Sequence, residues 1–558
     1  MILKKIFFNL AKIILLLSFS LIAYKYGNCE KLFYTPKSLV GSILAGQIAK
    51  YNNENSLASE FYSYASKKEP ANENLLNLSL MSLILAGKVE EAITTVNIKG
   101  NKSLLKKSEI ANLLKFVNLI KNKNYDEASI ILNKNKDLIY ADKLLPIIKA
   151  WLSSDLKSAK IKIENFEYKT DGLVFSDLYF QHLAHINLYY NEKTNALNNF
   201  KKGLKNANTE KLRLLYFYYD FLKKYKLKDD DGFLVNFSKN FPDHSLNIYL
   251  NKNFNTNFSI NNPIDGISEI FFNIAEALYG QGMHDSSIAY SYLSIYLNNK
   301  NFINYYLIAE NFQMLNKNKK AISSLSKIAL NSYVGWNSFL KIIDLEIAKG
   351  NFDNAQKYMN KLKKFSPKRK DLYYKLGELY HNKKQYETAI NFFSNALSLI
   401  NNPTKKDWYL YYSRGMSYER SKKWKNAEND FLLALELYPS QPLVLNYLGY
   451  TWIDLGINLE KAENFIEKAV KLRPNDGYFI DSLGWAYYRK GAYRKAVEEL
   501  EKAVALVPND PIINDHLGDA LWRSGYKNEA IFQWNRALLY KPEVDLLENI
   551  KLKLRNGL

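Results

Sequence analysis

The side chains that could carry out catalysis or hold a metal are few and scattered in this sequence. Of six histidines, only His182 and His185 lie close together, three residues apart on a predicted helix, where two imidazoles could share a metal ion. They are not part of the metalloprotease pattern, which needs a glutamate directly after the first histidine. Helix packing is therefore the interpretation that we favour for this pair, and we predict no metal site and no cofactor.

The sequence also lacks motifs for nucleotide binding and acyl transfer. Gly280-Gln281-Gly282 does not have the lysine of a phosphate-binding loop, and Ser482-Leu483-Gly484 has no glycine two residues before the serine, as a nucleophile elbow requires. The single cysteine among 558 residues excludes a disulfide framework, a Cys-based zinc site and an iron–sulfur cluster. We therefore predict no catalytic residues and a protein that is not an enzyme.

The charge of the chain suggests an anionic partner, and its distribution argues against one. The formal net charge is +21, yet residues 451–558 hold 16 basic and 16 acidic side chains, so the surplus lies in 1–450. Only ten of the cations are arginine, and the lysines are mostly scattered, whereas nucleic-acid readers favour arginine at bidentate contacts. Binding to nucleic acid or to an anionic membrane surface is retained as the alternative function.

The densest cationic run extends from Lys357 to Lys370 and contains no acidic residue before Asp371. It could contact phosphate or an acidic partner. A solvated helix end, where cations also complement the helix dipole, is the alternative that we favour at this stage.

The first 29 residues have the composition of an export signal. A lysine pair precedes an apolar run at 13–23, and Gly27 and Cys29 occupy positions −3 and −1 of a cleavage site. Two alternatives stay open, namely lipid attachment at Cys29 and an uncleaved anchor over 6–24. The sequence thus predicts an exported protein of the periplasm or cell envelope, with membrane association through the N-terminus as one outcome.

Small residues, aromatic residues and proline recur along most of the chain with a period of 34. Gly484, Ala496, Ala503 and Pro508 recur as Gly518, Ala530, Ala537 and Pro542. The same internal spacing holds at Gly415, Ala427, Phe431, Ala434 and Pro439, at Gly377, Ala389, Phe393 and Ala396, and at Gly46, Ala58, Tyr62, Ala65 and Pro70. A fixed period of this length is the signature of a solenoid.

This pattern resembles the tetratricopeptide repeat (TPR) family, which has Gly or Ala at position 8, Ala at 20, an aromatic residue at 24, Ala at 27 and Pro at 32. The resemblance implies an all-α fold, a TPR α-solenoid in which antiparallel helix pairs form a right-handed superhelix. Small residues allow the two helices of a pair to approach closely. Gly350, Gly456, Gly491 and Gly525 fall in the turn within a repeat, where a left-handed residue is required.

The regularity of the pattern predicts five segments along the chain. These are a signal peptide (1–29), irregular TPR-like repeats (30–225), an irregular connection (226–267), eight regular repeats (268–544) and a capping segment (545–558).

In the TPR family, first-helix positions 2, 5, 9, 12 and 13 face the concave groove. Transferred to this chain, these positions give the candidate groove residues Tyr409, Tyr412, Asn446, Tyr450, Tyr478, Asp481, Trp485, Tyr488, Arg489, Asp515, Asp519, Trp522 and Arg523. Rings combined with Asn, Asp and Arg suit a peptide ligand, because rings give contact area at a low entropy cost. The alternative is that some rings pack between neighbouring repeats. We predict no clamp for a C-terminal carboxylate, since three aspartates among these residues would repel an anion.

The C-terminal region resembles a narrower group, the exported bacterial envelope TPR proteins. The segments that carry this resemblance are 441–450, 481–488, 513–519 and 532–534. Some such proteins are adaptors that bring a processing protease to its substrates. The resemblance implies a non-enzymatic scaffold or adaptor whose partner is a protein or peptide, with an envelope protease or an assembly complex as candidates.

Overall fold

The computed structural model describes residues 38–98, 108–134, 144–166, 169–170, 173–174, 176–205, 212–241, 244–252 and 259–558. The predicted signal peptide, including Cys29 and its alternatives, lies outside these residues. Among the helices of the described ranges, none combines the length and the apolar character needed to cross a membrane.

The described chain is built almost entirely of helices joined in pairs by short turns, which confirms the predicted all-α solenoid. Its N-terminal half contains α1 (Leu39–Tyr51), α2 (Asn55–Lys68), α3 (Glu73–Leu85), α4 (Val89–Ile98), α5 (Glu109–Lys121), α6 (Tyr125–Lys134), α7 (Leu145–Trp151), α8 (Leu156–Glu164), α9 (Ser176–Tyr189), α10 (Lys193–Lys205), α11 (Leu212–Tyr225), α12 (Phe233–Asn240) and α13 (Leu246–Lys252). Between α8 and α9, two short antiparallel strands form a hairpin, β1 (Lys169–Thr170) and β2 (Leu173–Val174).

Eight successive helix pairs and a final helix follow. They are α14 (Pro263–Gly280), α15 (His284–Leu297), α16 (Ile303–Met314), α17 (Asn318–Leu325), α18 (Gly335–Ala348), α19 (Phe352–Phe365), α20 (Lys370–Asn382), α21 (Tyr386–Leu397), α22 (Trp408–Arg420), α23 (Trp424–Leu437), α24 (Pro442–Leu455), α25 (Leu459–Leu472), α26 (Gly477–Arg489), α27 (Tyr493–Leu506), α28 (Pro511–Arg523), α29 (Lys527–Leu539) and α30 (Val544–Asn556). A 3-10 turn at Lys405–Asp407 precedes α22.

The helices form two compact units. Unit 1 holds the described residues up to Asn240 together with Tyr249–Gly335, and unit 2 holds Phe241–Ile248 together with Trp336–Leu558. The boundary between the two units therefore lies near residue 335. The irregular connection predicted at 226–267 marks a different feature, the position where the regular repeat spacing begins.

In unit 1, the pair α14–α15 packs against first helices of the N-terminal pairs, with α15 in contact with α3 and α5 and α14 in contact with α5 and α7. Lys121 on α5 donates to the carbonyl oxygens of Tyr296 and Leu297 at 2.8 Å each. Gly266 lies under the indole of Trp151, so close that a Cβ there would be 2.3 Å from the ring. The first helices α3, α5 and α7 are therefore in contact with a later helix pair of the same chain.

A buried polar network joins α9, α11 and α14 at the centre of unit 1. Arg213 Nε donates to Glu269 Oε1 at 2.8 Å, and its Nη1 donates to the hydroxyl of Tyr333 at 2.7 Å. Gln181 and Asn301 donate to the same carboxylate at 3.2 and 3.4 Å. Burial raises the pKa of Glu269, and the opposing charge and hydrogen bonds of Arg213 outweigh that effect and lower it. The pair is thus ionised inside the unit.

In unit 2, the glycine at repeat position 8 makes room for the aromatic ring at position 24 of the same pair. A Cβ at Gly377 would lie 2.4 Å from the ring of Phe393, and one at Gly518 would lie 2.4 Å from the ring of Trp534. The three rings at this position, those of Phe393, Phe431 and Trp534, are almost completely buried. Ring packing therefore explains the glycines of these three pairs, whereas Gly449 and Gly484 lie against the aliphatic side chains of Ile466 and Leu500 at the same position.

The turns within the pairs need a residue with positive φ, as predicted at Gly350, Gly456, Gly491 and Gly525, whose φ values are 76°, 71°, 78° and 92°. Two pairs of unit 2 use lysine at this place instead, Lys384 with φ 58° and Lys422 with φ 59°. A non-glycine residue in this conformation carries a steric cost.

Candidate partner-binding groove

The candidate groove residues lie on α22, α24, α26 and α28, the first helices of four consecutive pairs in unit 2. Three of the side chains are exposed, those of Tyr478, Arg489 and Arg523; three are buried, those of Asp481, Asp515 and Asp519; and seven are partly buried, those of Tyr409, Tyr412, Asn446, Tyr450, Trp485, Tyr488 and Trp522. The exposed and partly buried side chains are accessible to a ligand, whereas the buried ones make contacts within the protein.

The aromatic centre of the groove is a stack on α26 and α28. The ring of Trp485 lies parallel to that of Tyr488 with centroids 4.7 Å apart, and parallel to the imidazole of His516 at 4.1 Å. The indole Nε1 of Trp485 has no hydrogen-bond partner within the described residues. Burial, followed by the charge of Asp519, raises the pKa of the Tyr488 hydroxyl, while a hydrogen bond with Arg523 lowers it. The stack is a rigid, partly exposed platform.

The tyrosines nearer to α22 act mainly as spacers between repeats. Tyr409 meets Tyr374 edge to face with centroids 4.7 Å apart. Tyr412 packs against Tyr447 at 5.8 Å, and it also contributes to the core of unit 2. For these two rings the structure favours the packing alternative. Tyr478 differs, because 56% of its surface is exposed at the start of α26.

The charged groove residues connect each first helix to the next one. Arg489 donates to the carbonyl oxygen of Asp454 at 3.1 Å, and His516 Nδ1 donates to Asp481 Oδ1 at 2.9 Å. Burial alone would lower the pKa of His516, but the charge and hydrogen bond of Asp481, together with the charges of Asp515 and Asp519, outweigh burial, so the pKa is raised. These groups stabilise the stack of repeats.

The last helix, α30, covers the C-terminal end of the groove. Lys553 on α30 donates to Asp515 Oδ2 and Asp519 Oδ2, both at 2.8 Å, and Gly557 lies against the ring of Trp522. Burial and the neighbouring Asp515 raise the pKa of Asp519, an effect that Lys553 opposes. The two aspartates and Trp522 therefore have partners within the chain, and the part of the groove that stays open lies between α24 and α28.

The sequence-based prediction did not include His516 and Lys553. Lys553 lies 34 residues after Asp519, so the repeat period places both at the same position of successive first helices. That spacing was the available signal for the pairing. His516 is next to a predicted groove residue, but its contact with Asp481 depends on how successive repeats are rotated.

No group of three or more His, Cys, Asp or Glu side chains that could hold a metal occurs within the residues that the structure describes. The candidate pair in unit 1 takes part in packing: His182 Nδ1 accepts from Trp151 Nε1 at 3.1 Å, and His185 Nδ1 donates to the Gln181 carbonyl at 2.7 Å. Burial lowers the pKa of His182 to about 4 and that of His185 to about 3. Both imidazoles are therefore neutral core groups.

Comparisons with known proteins identify the repeats of unit 2. A family model described as TPR repeat matches residues 484–525, and one described as tetratricopeptide repeat matches 371–403. The TPR repeat-containing protein PA4667 of Pseudomonas aeruginosa is 43% identical over 53 residues, which are 10% of this chain and 9% of that protein. Protein CTR9 homolog of Arabidopsis thaliana is 30% identical over 118 residues, 21% of this chain and 11% of that protein.

The chain thus spans about a tenth of the length of these curated relatives. A solved chain from the APC/C hetero-tetramer Cut9-Hcn1 aligns with 94% of this chain and 97% of its own length, at 15% identity and a TM-score of 0.39. The class that the fold and the repeat matches define is a TPR solenoid, and this chain carries tetratricopeptide repeats. Proteins built of such repeats generally act as non-catalytic scaffolds for protein interactions.

Proposed function

We propose that this protein is a non-enzymatic scaffold of the bacterial cell envelope and that it binds a partner protein or peptide in the groove between α24 and α28. The observation that carries this proposal is the accessible row formed by Tyr450, Tyr478, Trp485 and Tyr488, flanked by exposed guanidinium groups. Rings presented in a row on consecutive first helices are the kind of rigid anchor that dominates protein–protein recognition.

The exposed charges of the groove favour a polypeptide ligand. Arg489 and Arg523 lie at the ends of α26 and α28, where their guanidinium groups can donate to backbone carbonyls or to a carboxylate of the ligand. The buried aspartates have partners within the chain, Asp481 with His516 and both Asp515 and Asp519 with Lys553, which reduces their repulsion of such groups. A short extended segment with one or two apolar side chains would use both the rings and the donors.

The test is a pull-down from envelope extract with the full chain and two single variants, Trp485→Ala and Tyr478→Ala. We expect each variant to lose the specifically retained partner, with affinity reduced at least about tenfold in a direct titration, as for a truncated anchor residue. Tyr526→Ala is the matched control, since this tyrosine is 51% exposed in the turn before α29 and is not one of the candidate groove residues. Identical lists of retained partners for the wild type and all three variants would refute the proposal that the groove is the binding site.

The envelope location is part of the proposal and rests on the sequence of residues 1–29. Fractionation of cells that express the chain, followed by intact mass measurement of the mature N-terminus, separates cleavage before Glu30, lipidation of Cys29 and retention of an anchor. A full-length chain found in the cytoplasm would refute the export proposal without affecting the groove. An envelope protease or an assembly complex among the retained proteins would support the adaptor role.

A further inference from the structure

The outer face of α19 in unit 2 carries three lysines along one side of a surface cavity. Lys357, Lys361 and Lys364 follow one another at helical spacing, and together with Asn354 and Tyr358 they line a cavity of about 490 Å³. All three lysines are exposed. We call these three residues the lysine face.

The charge of the lysine face is not neutralised within the described residues, where no ion pair of Lys357, Lys361 or Lys364 occurs. The one carboxylate at the cavity, that of Glu346, accepts a hydrogen bond from Asn351 Nδ2 at 2.9 Å. Other lysines of unit 2 do form ion pairs, as in Lys370–Asp407, Lys375–Asp344, Lys423–Glu387 and Lys553–Asp515. The lysine face is therefore a local excess of positive charge.

The helix dipole accounts for only part of this pattern. Lys364 lies in the last turn of α19, where a cation is favourable, but Lys357 and Lys361 lie earlier in the helix. Like charges three or four residues apart on a helix repel each other and destabilise it slightly. The arrangement thus has a small cost for the isolated protein, and an anionic ligand would relieve it.

Aromatic rings fix the middle cation. The Nζ atom of Lys361 lies 5.2 Å from the ring centroid of Tyr358 and 5.9 Å from that of Phe339, and these two rings meet edge to face at 5.4 Å. Cation–π contacts hold the Lys361 ammonium at the cavity. The side chain therefore loses less conformational entropy when a ligand binds.

We propose that the lysine face binds an acidic segment of a partner polypeptide, with carboxylates spaced by turns of a helix. Seven residues of α-helix rise about 10 Å, so glutamates at i, i+4 and i+7 of a ligand helix would match the three ammonium groups. The cavity adds an amide from Asn354 and a ring from Tyr358, which suit a polypeptide. It contains no arginine, the side chain that makes bidentate contacts with phosphate and bases, so a nucleic acid is disfavoured. This proposal is independent of the groove on α24–α28.

The test is fluorescence anisotropy with the full chain and a fluorescently labelled, alanine-based helical peptide. The peptide carries glutamate at positions i, i+4 and i+7. The variant is Lys357→Glu/Lys361→Glu/Lys364→Glu. The control, Lys363→Glu/Lys368→Glu/Lys471→Glu, changes the net charge by the same amount at exposed lysines of the same unit. We expect the lysine-face variant to weaken binding at least tenfold and the control to change it less than twofold. Raising the salt concentration should weaken binding to the wild type and have little effect on the variant.

Three results would overturn the proposal. Equal weakening by both triple variants would mean that only net charge matters. Equal affinity for a peptide with glutamine in place of glutamate would exclude carboxylate recognition. Lysine-face-dependent binding of oligo-dT without binding of the peptide would make the partner a nucleic acid. Far-UV circular dichroism checks that each variant folds. If the glutamate variant does not fold, the same comparison is made with Lys357→Gln/Lys361→Gln/Lys364→Gln, which removes the charge without reversing it.

Discussion

The buried ion pair of unit 1 provides a stability test with a defined magnitude. Glu269 has no exposed surface and accepts hydrogen bonds from Arg213 with both oxygens. In Arg213→Met, the carboxylate would keep only the neutral donors Gln181 and Asn301. Removing one partner of such a pair costs about 3–5 kcal/mol, because the remaining charge is buried without compensation. We predict this loss of stability for unit 1 at neutral pH.

The loss should depend on pH in a definite direction. Without Arg213, burial raises the pKa of Glu269 above its unfolded value, since nothing opposes the desolvation of the carboxylate. A group with a raised folded pKa is more favourable in the protonated form, so the destabilisation shrinks as the pH falls toward about 5. In the wild-type protein the lowered pKa of Glu269 gives the opposite sign, with stability that is lost on acidification.

Hydrogen–deuterium exchange with mass spectrometry is the appropriate assay, because it reports on each unit separately. Peptides from α11 and α14 should exchange roughly 10²- to 4 × 10³-fold faster in Arg213→Met, as 1.4 kcal/mol corresponds to a factor of ten. Peptides from α26 and α28 of unit 2 should be unchanged. Arg213→Lys, which keeps the charge and loses the bidentate geometry, should be intermediate.

The double variant Arg213→Met/Glu269→Met is the decisive control. If the penalty comes from an uncompensated charge, the double variant should recover most of the stability, since an apolar pair removes the desolvation cost. Exchange in α11 and α14 that is as fast in the double variant as in the single variant, and that does not respond to pH, would refute the electrostatic reasoning. The loss would then be one of packing.

Three further predictions concern unit 2. Because the pKa of His516 is raised by Asp481, the stabilising contribution of the pair is fully present below the unfolded histidine pKa of about 6.5 and is lost as the pH rises through the higher folded value; urea unfolding at a series of pH values should show this decline. Gly518→Ala places a Cβ 2.4 Å from the ring of Trp534 and should cost about 1–3 kcal/mol in the same assay, as overpacking does. Lys422→Gly removes a positive φ of 59° from a residue with a Cβ and should raise the midpoint of thermal unfolding, by an amount that corresponds to about 0.5–1 kcal/mol.

Matched variants separate these effects from general damage. His516→Gln should flatten the pH profile, and a decline of the same size in that variant would assign the titration to another group. Gly280→Ala, where an added Cβ meets no atom within 4 Å, should be neutral or slightly stabilising. Lys468→Gly, within the exposed face of α25, should lose about 1 kcal/mol, opposite in sign to Lys422→Gly. The same sign for both lysine variants would contradict the role assigned to φ.

The candidate site could be predicted from the sequence in part. The repeat frame placed Tyr450 on α24 and Tyr478, Trp485 and Tyr488 on α26, two consecutive first helices, because a period of 34 fixes which side chains share a face. The same period aligns Lys553 with Asp519, but it could not show that Asp515 and Asp519 are buried, because burial depends on how closely α30 packs on α28. Whether the open rings bind a ligand stays a prediction.

The helix pairs of this protein are encoded locally, since the spacing of residues such as Gly377 and Phe393 follows from 3.6 residues per turn. The contacts of α14 and α15 with the first helices of the N-terminal pairs, and that of Arg213 with Glu269, are visible only in the folded chain. These contacts join residues 56 to 176 positions apart, as between Arg213 and Glu269 or Lys121 and Leu297. Whether side chains so distant in the chain meet depends on how each irregular helix pair is rotated relative to the next one. A periodic sequence pattern does not specify these rotations.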